Sequence, residues 1–414
     1  MTDITDPKWL ASAPDLPGKL PSRWRDLWDH AWALHQRSCR PPLAMLDDTW
    51  QTVGVGYFMP AFGHWDIVHN ALDMLVYDAD FAARQICLVV KTLRDSDGRL
   101  PGLVREFSNE KGCGILKPDY DYSPPPLWPV AALEVFRRTG NKAFLRTVFA
   151  GAAKGLAWWE ANRRLANHLF WFADCVGNAK WESGYDACPR WDALERNAKP
   201  FACVDLCAQM GMYYDSLADM AESLGRGEDA SRWRASSQRL AEAVRTMLWH
   251  DEDGLFYDRR PEGGRWVRVK TVACFWPMVA GQATAEQARR LAEHAADADE
   301  FSTRVPVPSV AANDPAFGLD CWRGPTWLSQ TYWIVRGLSR YGFKGLADRI
   351  ATSALDGAAQ AFAEYGTVFE FLHPHGGPNS DLGRKGKSTG PCRDYLGHNP
   401  IHALAMKVAD KGTT

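Results

Sequence analysis

The chain has almost no net charge. Its 48 Lys+Arg and 50 Asp+Glu leave −2 over 414 residues. A basic field able to follow a phosphate backbone is therefore missing, which excludes nucleic acid as a partner. No apolar run approaches the roughly 18 residues that a membrane span requires. The first six residues, Met1-Thr2-Asp3-Ile4-Thr5-Asp6, contain neither a basic nor an apolar leader region, so no secretory signal is expected. The ten cysteines are scattered, mostly inside apolar stretches. That pattern fits free thiols in a reducing compartment, and a cytoplasmic protein is expected. Gly54-Val55-Gly56 lacks the third glycine of a dinucleotide site, and no phosphate-cradling glycine loop or Gly-x-Ser-x-Gly elbow occurs. No cofactor is expected.

Tryptophan is abundant: 19 residues, beside 12 Tyr and 18 Phe. An indole serves either as core or as a flat platform for a ligand, and composition does not choose between them. Helical periodicity dominates the chain. Residues 227–248 carry Trp233, Leu240, Val244 and Met247 on one stripe, and 141–164, 284–297 and 344–363 are similarly amphipathic. Ile67–Tyr77, Leu127–Phe136, Pro200–Leu217 and Trp327–Leu338 are apolar on more than one face, so they must be covered on most sides. Alternation of the two kinds predicts an inner ring of helices wrapped by an outer one. The fold class is all-α, a single domain over 1–414, with an α-solenoid as the alternative. One hairpin is expected, from Gly254–Asp258 through Gly263-Gly264 to Arg265–Val269.

Several inner helices are preceded by loops rich in Gly, Pro, Trp and acids: His64-Trp65-Asp66, Ser123-Pro124-Pro125-Pro126, Trp181 to Asp186, and Trp322-Arg323-Gly324-Pro325. If the inner helices run parallel, these loops meet at one mouth. The segment Trp181-Glu182-Ser183-Gly184-Tyr185-Asp186-Ala187-Cys188-Pro189-Arg190-Trp191-Asp192 holds three carboxylates, one Arg and three aromatics. An acid beside aromatic rings loses solvation and keeps its proton nearer neutral pH. The competing reading is a surface loop with an Asp cap and a Glu–Arg ion pair. Glu370 lies among apolar residues in Phe369-Glu370-Phe371 and is either buried in a site or paired. Two carboxylates across a sugar-sized cavity are the minimal machinery of glycoside hydrolysis. Arg323 between Trp322 and Trp327 is either a stacked core arginine or part of a sugar platform. His373-x-His375 and His398-xxx-His402 lack a neighbouring acid in a known metal motif, and no metal is expected. Cys203-xxx-Cys207 reads as core.

Four blocks resemble glycoside hydrolase family 63, the inverting α-glycosidases, with trehalases as more distant relatives. Glu182–Asp192 is similar to the family's Glu-Ser-Gly-aromatic-Asp-Asn-Ser-Pro-Arg-Trp-Asp block. Trp322–Trp327 resembles Trp-Arg-Gly-Pro-x-Trp, Phe369-Glu370-Phe371-x-x-Pro374 resembles Tyr-Glu-Tyr-x-x-Pro, and Trp65-Asp66 matches a glycone-binding pair. The resemblance implies an (α/α)6 barrel, Asp186 as general acid and Glu370 as general base. Substrate contacts are expected from Tyr57, Trp65, Asp66, Trp181, Arg190, Trp322, Arg323 and Trp327, with Asp66, Arg190 and Arg323 fixing hydroxyls or orienting the acids. Departures occur at Tyr122-Ser123-Pro124-Pro125, where the family has Ser-Gln-Pro-Pro, and at Ala187-Cys188, where it has Asn-Ser. The substrate implied is a short α-glycoside, of disaccharide or glycosylglycerate type. A sugar epimerase on the same toroid and a non-catalytic saccharide-binding protein are the alternatives. Near-zero net charge suggests a neutral ligand.

Overall fold

The computed structural model describes residues 13–108, 114–177, 181–192, 194, 198–260, 264–387 and 389–409. Met1 to Asp6, Cys113 and Gly263 lie outside these. Twelve α-helices occur among the described residues: α1 (Arg25–Arg37), α2 (His64–Met74), α3 (Ala79–Lys91), α4 (Trp128–Thr139), α5 (Lys142–Arg163), α6 (Val204–Ser223), α7 (Gly227–Met247), α8 (Trp276–Ala280), α9 (Ala285–Ala296), α10 (Leu328–Arg340), α11 (Lys344–Tyr365) and α12 (Ile401–Ala409). Their boundaries follow local chemistry. Asp78 and Asn141 cap α3 and α5, and Thr284 with Gln287 forms a capping box on α9, satisfying amides that would otherwise be orphaned. Pro129 and Pro277 occupy first turns, where their missing N–H costs least.

Helix contacts alternate as the periodicity predicts. α2 packs on α4, α4 on α6, α6 on α8, α8 on α10, α10 on α12, and α12 back on α2. The even-numbered helices are thus linked in a closed circuit. The odd-numbered helices lean on them: α3 on α2 and α4, α5 on α4 and α6, α7 on α6, α11 on α10 and α12. Burial matches these positions. Ten of eleven residues in α2 are buried, whereas α7 buries only Ala230, Trp233, Ser237, Leu240 and Val244 along one stripe. Among the described residues, no helix is long and apolar enough to cross a membrane.

Three expectations need correction. α6 begins at Val204, because Ala202 exchanges backbone hydrogen bonds with Arg259 (both 3.2 Å) and holds the preceding residues extended. The hairpin is divided: Leu255–Phe256 turns back onto Trp249–His250, and only Asp258–Arg259 pairs with Trp266–Val267. An antiparallel three-stranded sheet also exists, Ala61–Gly63, Leu103–Ser108 and Gly114–Pro118, with the second strand in the middle. Its strands are short and carry Arg, Glu and Lys beside the apolar residues, so period-2 alternation is weak.

The circuit closes at α12 and α2, where a buried polar clamp sits. Asp73 Oδ2 contacts His402 Nδ1 at 2.8 Å and His35 Nε2 at 2.9 Å, while Ala403 N donates to Oδ1 at 2.7 Å. The clamp joins α1, α2 and α12. Burial alone pushes the Asp73 carboxyl up, but His402 and His35 outweigh it and hold it well below the usual range. Its contribution is therefore complete above the unfolded carboxylate pKa of about 3.9 and drains away as pH falls below that. Asp73→Ala strands two buried imidazoles and is expected to cost about 3 to 5 kcal/mol. Urea unfolding at pH 7 measures this, and the gap between variant and wild type should narrow in titrations carried below about pH 4.

Candidate active site

The expected loops converge. Trp65 and Asp66 of α2, Pro124 and Pro125 before α4, Trp181, Gly184 and Asp186, and Trp322 and Trp327 before α10 line one cavity of about 480 Å³, together with Glu370. His64–Asp66 is the first turn of α2 itself and not a preceding loop. Leu103 and Arg105 of the central sheet strand form another part of the wall.

The aromatic wall is ordered. Trp322 stacks on Trp327 with centroids 3.9 Å apart and planes 5° apart, and Trp65 lies 5.7 Å from Trp322 at 19°. Trp327 Nε1 donates to Cys321 O at 3.0 Å, which fixes the tier farther from Trp65. Tyr57 packs on Phe58 with centroids 4.2 Å apart and planes tilted by 44°. Trp65, Trp322 and Trp327 are buried in the wall, whereas the outward-lying Trp181 is half exposed and keeps indole surface open to a ring-shaped ligand.

Asp186 occupies a tight turn. Gly184 precedes it with φ 72°, and a Cβ at Gly184 would stand 1.9 Å from the Trp65 ring. Arg323 donates to Ala187 O at 3.1 Å and chelates Asp192 at 2.8 and 2.6 Å, bracing the turn from outside. Burial raises the Asp186 carboxyl above the ordinary range, although the Lys385 ammonium at 2.5 Å opposes this. Glu370 accepts from Arg384 through both oxygens, Nε to Oε2 at 2.6 Å and Nη2 to Oε1 at 2.9 Å. Cys392 N also donates to Oε2 at 3.2 Å, so Oε1 keeps the freer lone pair. Asp66 accepts the Tyr395 hydroxyl at 2.7 Å. Burial pushes its pKa up to about 6, tempered by that hydroxyl. A Cβ at Gly397 would lie 2.0 Å from Asp66 Oδ1, so only glycine lets this backbone approach the carboxylate.

Of the ten residues expected here, Tyr57, Trp65, Asp66, Trp181, Asp186, Trp322, Trp327 and Glu370 line the cavity, and Arg190 and Arg323 do not. Arg190 is buried behind the loop, where Nη1 and Nη2 bind Asp205 and Asp258 at 2.8 to 3.2 Å. Two carboxylates take both terminal nitrogens, and the unpartnered Nε is buried away from the cavity. Trp191 packs on Arg190 and Phe201, away from the mouth. Glu182 is also structural: Arg163 chelates it at 2.7 and 2.8 Å, and Ser123 N and Ala173 N donate to it. Of the competing reading only the Glu–Arg pair is found, buried and without an Asp cap, while Asp186 lines the cavity. His398 lines the cavity while His402 belongs to the Asp73 clamp, so the pair does not share a ligand. His373 Nδ1 accepts from His375 N at 3.1 Å. Cys203 and Cys207 are buried core, as read.

Sequence reasoning missed Arg105, Tyr122, Arg384, Lys385, Lys387, Tyr395 and His398 on the lining. The one signal for the cations was Gly383-Arg384-Lys385-Gly386-Lys387, a glycine-flanked basic turn shortly after Glu370. Nothing in its composition says which acids it faces.

A helical circuit whose mouth holds stacked indoles and buried carboxylates defines a glycoside hydrolase domain. The chain belongs to the family described as "mannosylglycerate hydrolase MGH1-like glycoside hydrolase domain", matched over residues 59–387. The mannosylglycerate hydrolase MGH1 of Selaginella moellendorffii is 29% identical over 201 residues, 48% of this chain and 40% of that protein. The match thus spans less than half of that relative's length. Among solved structures, the GH63 mannosylglycerate hydrolase of Thermus thermophilus in complex with glucose superposes with TM-score 0.72 at 22% identity, covering 94% of this chain and all of that one. Neutral trehalase of Saccharomyces cerevisiae superposes with TM-score 0.66 at 18% identity over 88% of this chain and 74% of its own.

Two substitutions test this assignment of parts. Arg190→Met leaves Asp205 and Asp258 buried without a cation and should lower stability by about 3 to 5 kcal/mol in denaturant titrations. Gly184→Ala forces the Asp186 turn off Trp65 and should cut saccharide affinity at least about tenfold by calorimetry.

Proposed function

We propose that the protein is an inverting α-glycosidase built on a single (α/α)6 toroid over residues 1–414, acting on short α-glycosides. The observation that carries this is that Asp186 and Glu370 face one indole-walled cavity on loops preceding the inner helices. In this reading Asp186, whose carboxyl burial raises above the ordinary range, donates to the glycosidic oxygen as the C–O bond breaks. Glu370, oriented by the Arg384 fork, accepts a proton from a water attacking the anomeric carbon. Trp65, Trp322 and Trp327 position the sugar ring, and Asp66 with Tyr395 binds its hydroxyls. His398, the imidazole an epimerase would need as a base, is engaged at Nδ1 by Ser329 Oγ at 2.8 Å and kept neutral by burial and the neighbouring His69. No cofactor enters the scheme.

The leaving group is a small carboxylate-bearing one, of the glycosylglycerate type, in preference to a second neutral sugar. Four cations, Arg105, Arg384, Lys385 and Lys387, line the cavity. Arg384 and Lys385 pair with the cavity acids Glu370 and Asp186, and Arg105 pairs with Asp119 at 3.0 Å. A ligand carboxylate would meet there the flexible Lys385 ammonium and the exposed Lys387, and cations at a pocket's mouth favour an anion. A reducing, cytoplasmic setting fits the nine described cysteines, all free thiols.

Proton NMR of freshly released sugar is expected to show the β-anomer first; the α-anomer appearing first rejects inversion. Asp186→Asn and Glu370→Gln should each lower kcat by roughly 10²- to 10⁴-fold, and Asp186→Asn should do so without lowering the melting temperature, since burial already disfavours its charged form. Because burial raises Asp186, the proton it donates is lost only on the alkaline side, so kcat/KM should fall at high pH along a limb that is missing from Asp186→Asn.

A further inference from the structure

A single tight turn supplies cations to both carboxylates of the proposed mechanism. Arg384 N donates to Lys387 O at 2.9 Å and Lys387 N to Arg384 O at 3.2 Å, and the two central residues, Lys385 and Gly386, have φ of 57° and 74°. The turn is anchored from outside. Asp320 accepts from Gly386 N at 2.8 Å, Gly383 N donates to Leu319 O at 2.7 Å, and Cys321 N donates to Gly383 O at 3.2 Å. From this frame Arg384 reaches Glu370 and Lys385 reaches Asp186.

The two pairs differ in what they permit. A guanidinium fork on a carboxylate is rigid, whereas an ammonium is a point charge on a flexible stem. Lys385 Nζ also lies 5.0 Å over the half-exposed Trp181 ring, so its path toward the mouth is lined by a cation-accepting face. A general acid must carry a proton when the glycosidic bond breaks, and an ammonium against its Oδ2 favours the ionised form. Burial outweighs the ammonium and raises the Asp186 carboxyl overall, yet Lys385 at Oδ2 still opposes the charge state that the reaction requires.

We propose that Lys385 is a positioning residue that answers the anion of the substrate: a carboxylate on the leaving group draws the ammonium off Asp186, and Asp186 then takes up the proton it will deliver. This rests on the reading of Asp186 as the general acid and deepens it. Charge conservation in a desolvated pocket supports it, because one anion and one proton enter together and the net charge stays unchanged. Lys385 remains protonated and only changes partner. The proton on Asp186 comes from solvent and leaves on the glycosidic oxygen, the attacking water gives its proton to Glu370, and Glu370 returns it to solvent. Other ionisable groups facing Asp186 are Glu370, Arg384, Asp66, Asp174, Tyr122 and Cys321. Arg384 is committed to Glu370, which leaves Lys385 as the cation free to transfer.

The test compares wild type, Lys385→Met and Lys385→Arg on α-glucosyl- and α-mannosyl-D-glycerate and on the methyl ester of each, over a range of pH. Wild type is expected to prefer the acid to its ester by roughly ten- to a hundredfold in kcat/KM, the worth of a charge-assisted hydrogen bond. Its kcat should also hold to higher pH with the acid than with the ester. Lys385→Met should bring the two substrates within about twofold and carry the ester's alkaline limb up to that of the acid. Lys385→Arg should restore most of the preference. A preference and limb separation that survive Lys385→Met overturn the proposal, as does a wild type that treats acid and ester alike or hydrolyses neutral glycosides only. If wild type hydrolyses no α-glycoside at all, the hydrolase reading falls and takes the proposal with it. Hydrolysis without these Lys385 effects removes the proposal alone.

Discussion

A carboxylate withdrawn from water has to be met by a cation or by donors, and that constraint organises this molecule. Each buried acid has found a different answer, and the answer distinguishes its role. Asp73 takes two imidazoles and an amide, and so locks α1, α2 and α12 together where the helical circuit closes. Glu182 takes the Arg163 fork plus two amides and welds three loops. Asp205 and Asp258 share Arg190. These acids are saturated by partners on rigid elements and have no capacity left for a ligand. Asp66, Asp186 and Glu370 differ in facing a cavity, and their partners there are a tyrosine hydroxyl, a lysine and an arginine fork.

The mouth is also where the backbone departs from ordinary conformations. Trp181, Ala187, Cys321 and Lys385 all have φ between 48° and 60°, each costing of order 1 kcal/mol for a residue with a Cβ. Side-chain donors fix some of these positions: Arg323 holds Ala187 O, and Trp327 Nε1 holds Cys321 O. Arg323 therefore serves the acid without touching the cavity. Rigid support of this kind matters because displacing a reacting group by about 1 Å costs orders of magnitude in rate.

Much of this was legible in the sequence. Helix type was, because an apolar stripe and an all-round apolar helix differ in composition alone, as α7 and α2 do. The mouth was legible through its Trp–acid loops, whose short-range order survives folding. Trp158, Trp159, Trp233 and Trp333 are buried in helices, and Trp191 packs on Phe201. Arg190 and Arg323 went astray for one reason. An arginine near an acid in sequence shows that it will be paired, but its partner is chosen by elements far along the chain, here Asp258 for Arg190. The three-stranded sheet was invisible because its short strands mix charges into the pleat, and the Lys385–Asp186 pair spans 199 positions.

Net charge is a blunt guide to a site. A total of −2 suggested a neutral ligand, while four cations line the cavity, three of them paired with acids. Most acids and bases of the outer helices cancel in exposed pairs, such as Arg289 with Glu286 and Glu293, which say nothing of the site. What a ligand meets is the field inside a low-dielectric mouth, where an unbalanced charge is felt far more strongly than in water. In the proposed reading a sugar carrying one carboxylate competes for Lys385, and it is then the balance around Asp186, more than the acid alone, that decides whether a proton is present when the bond is ready to break.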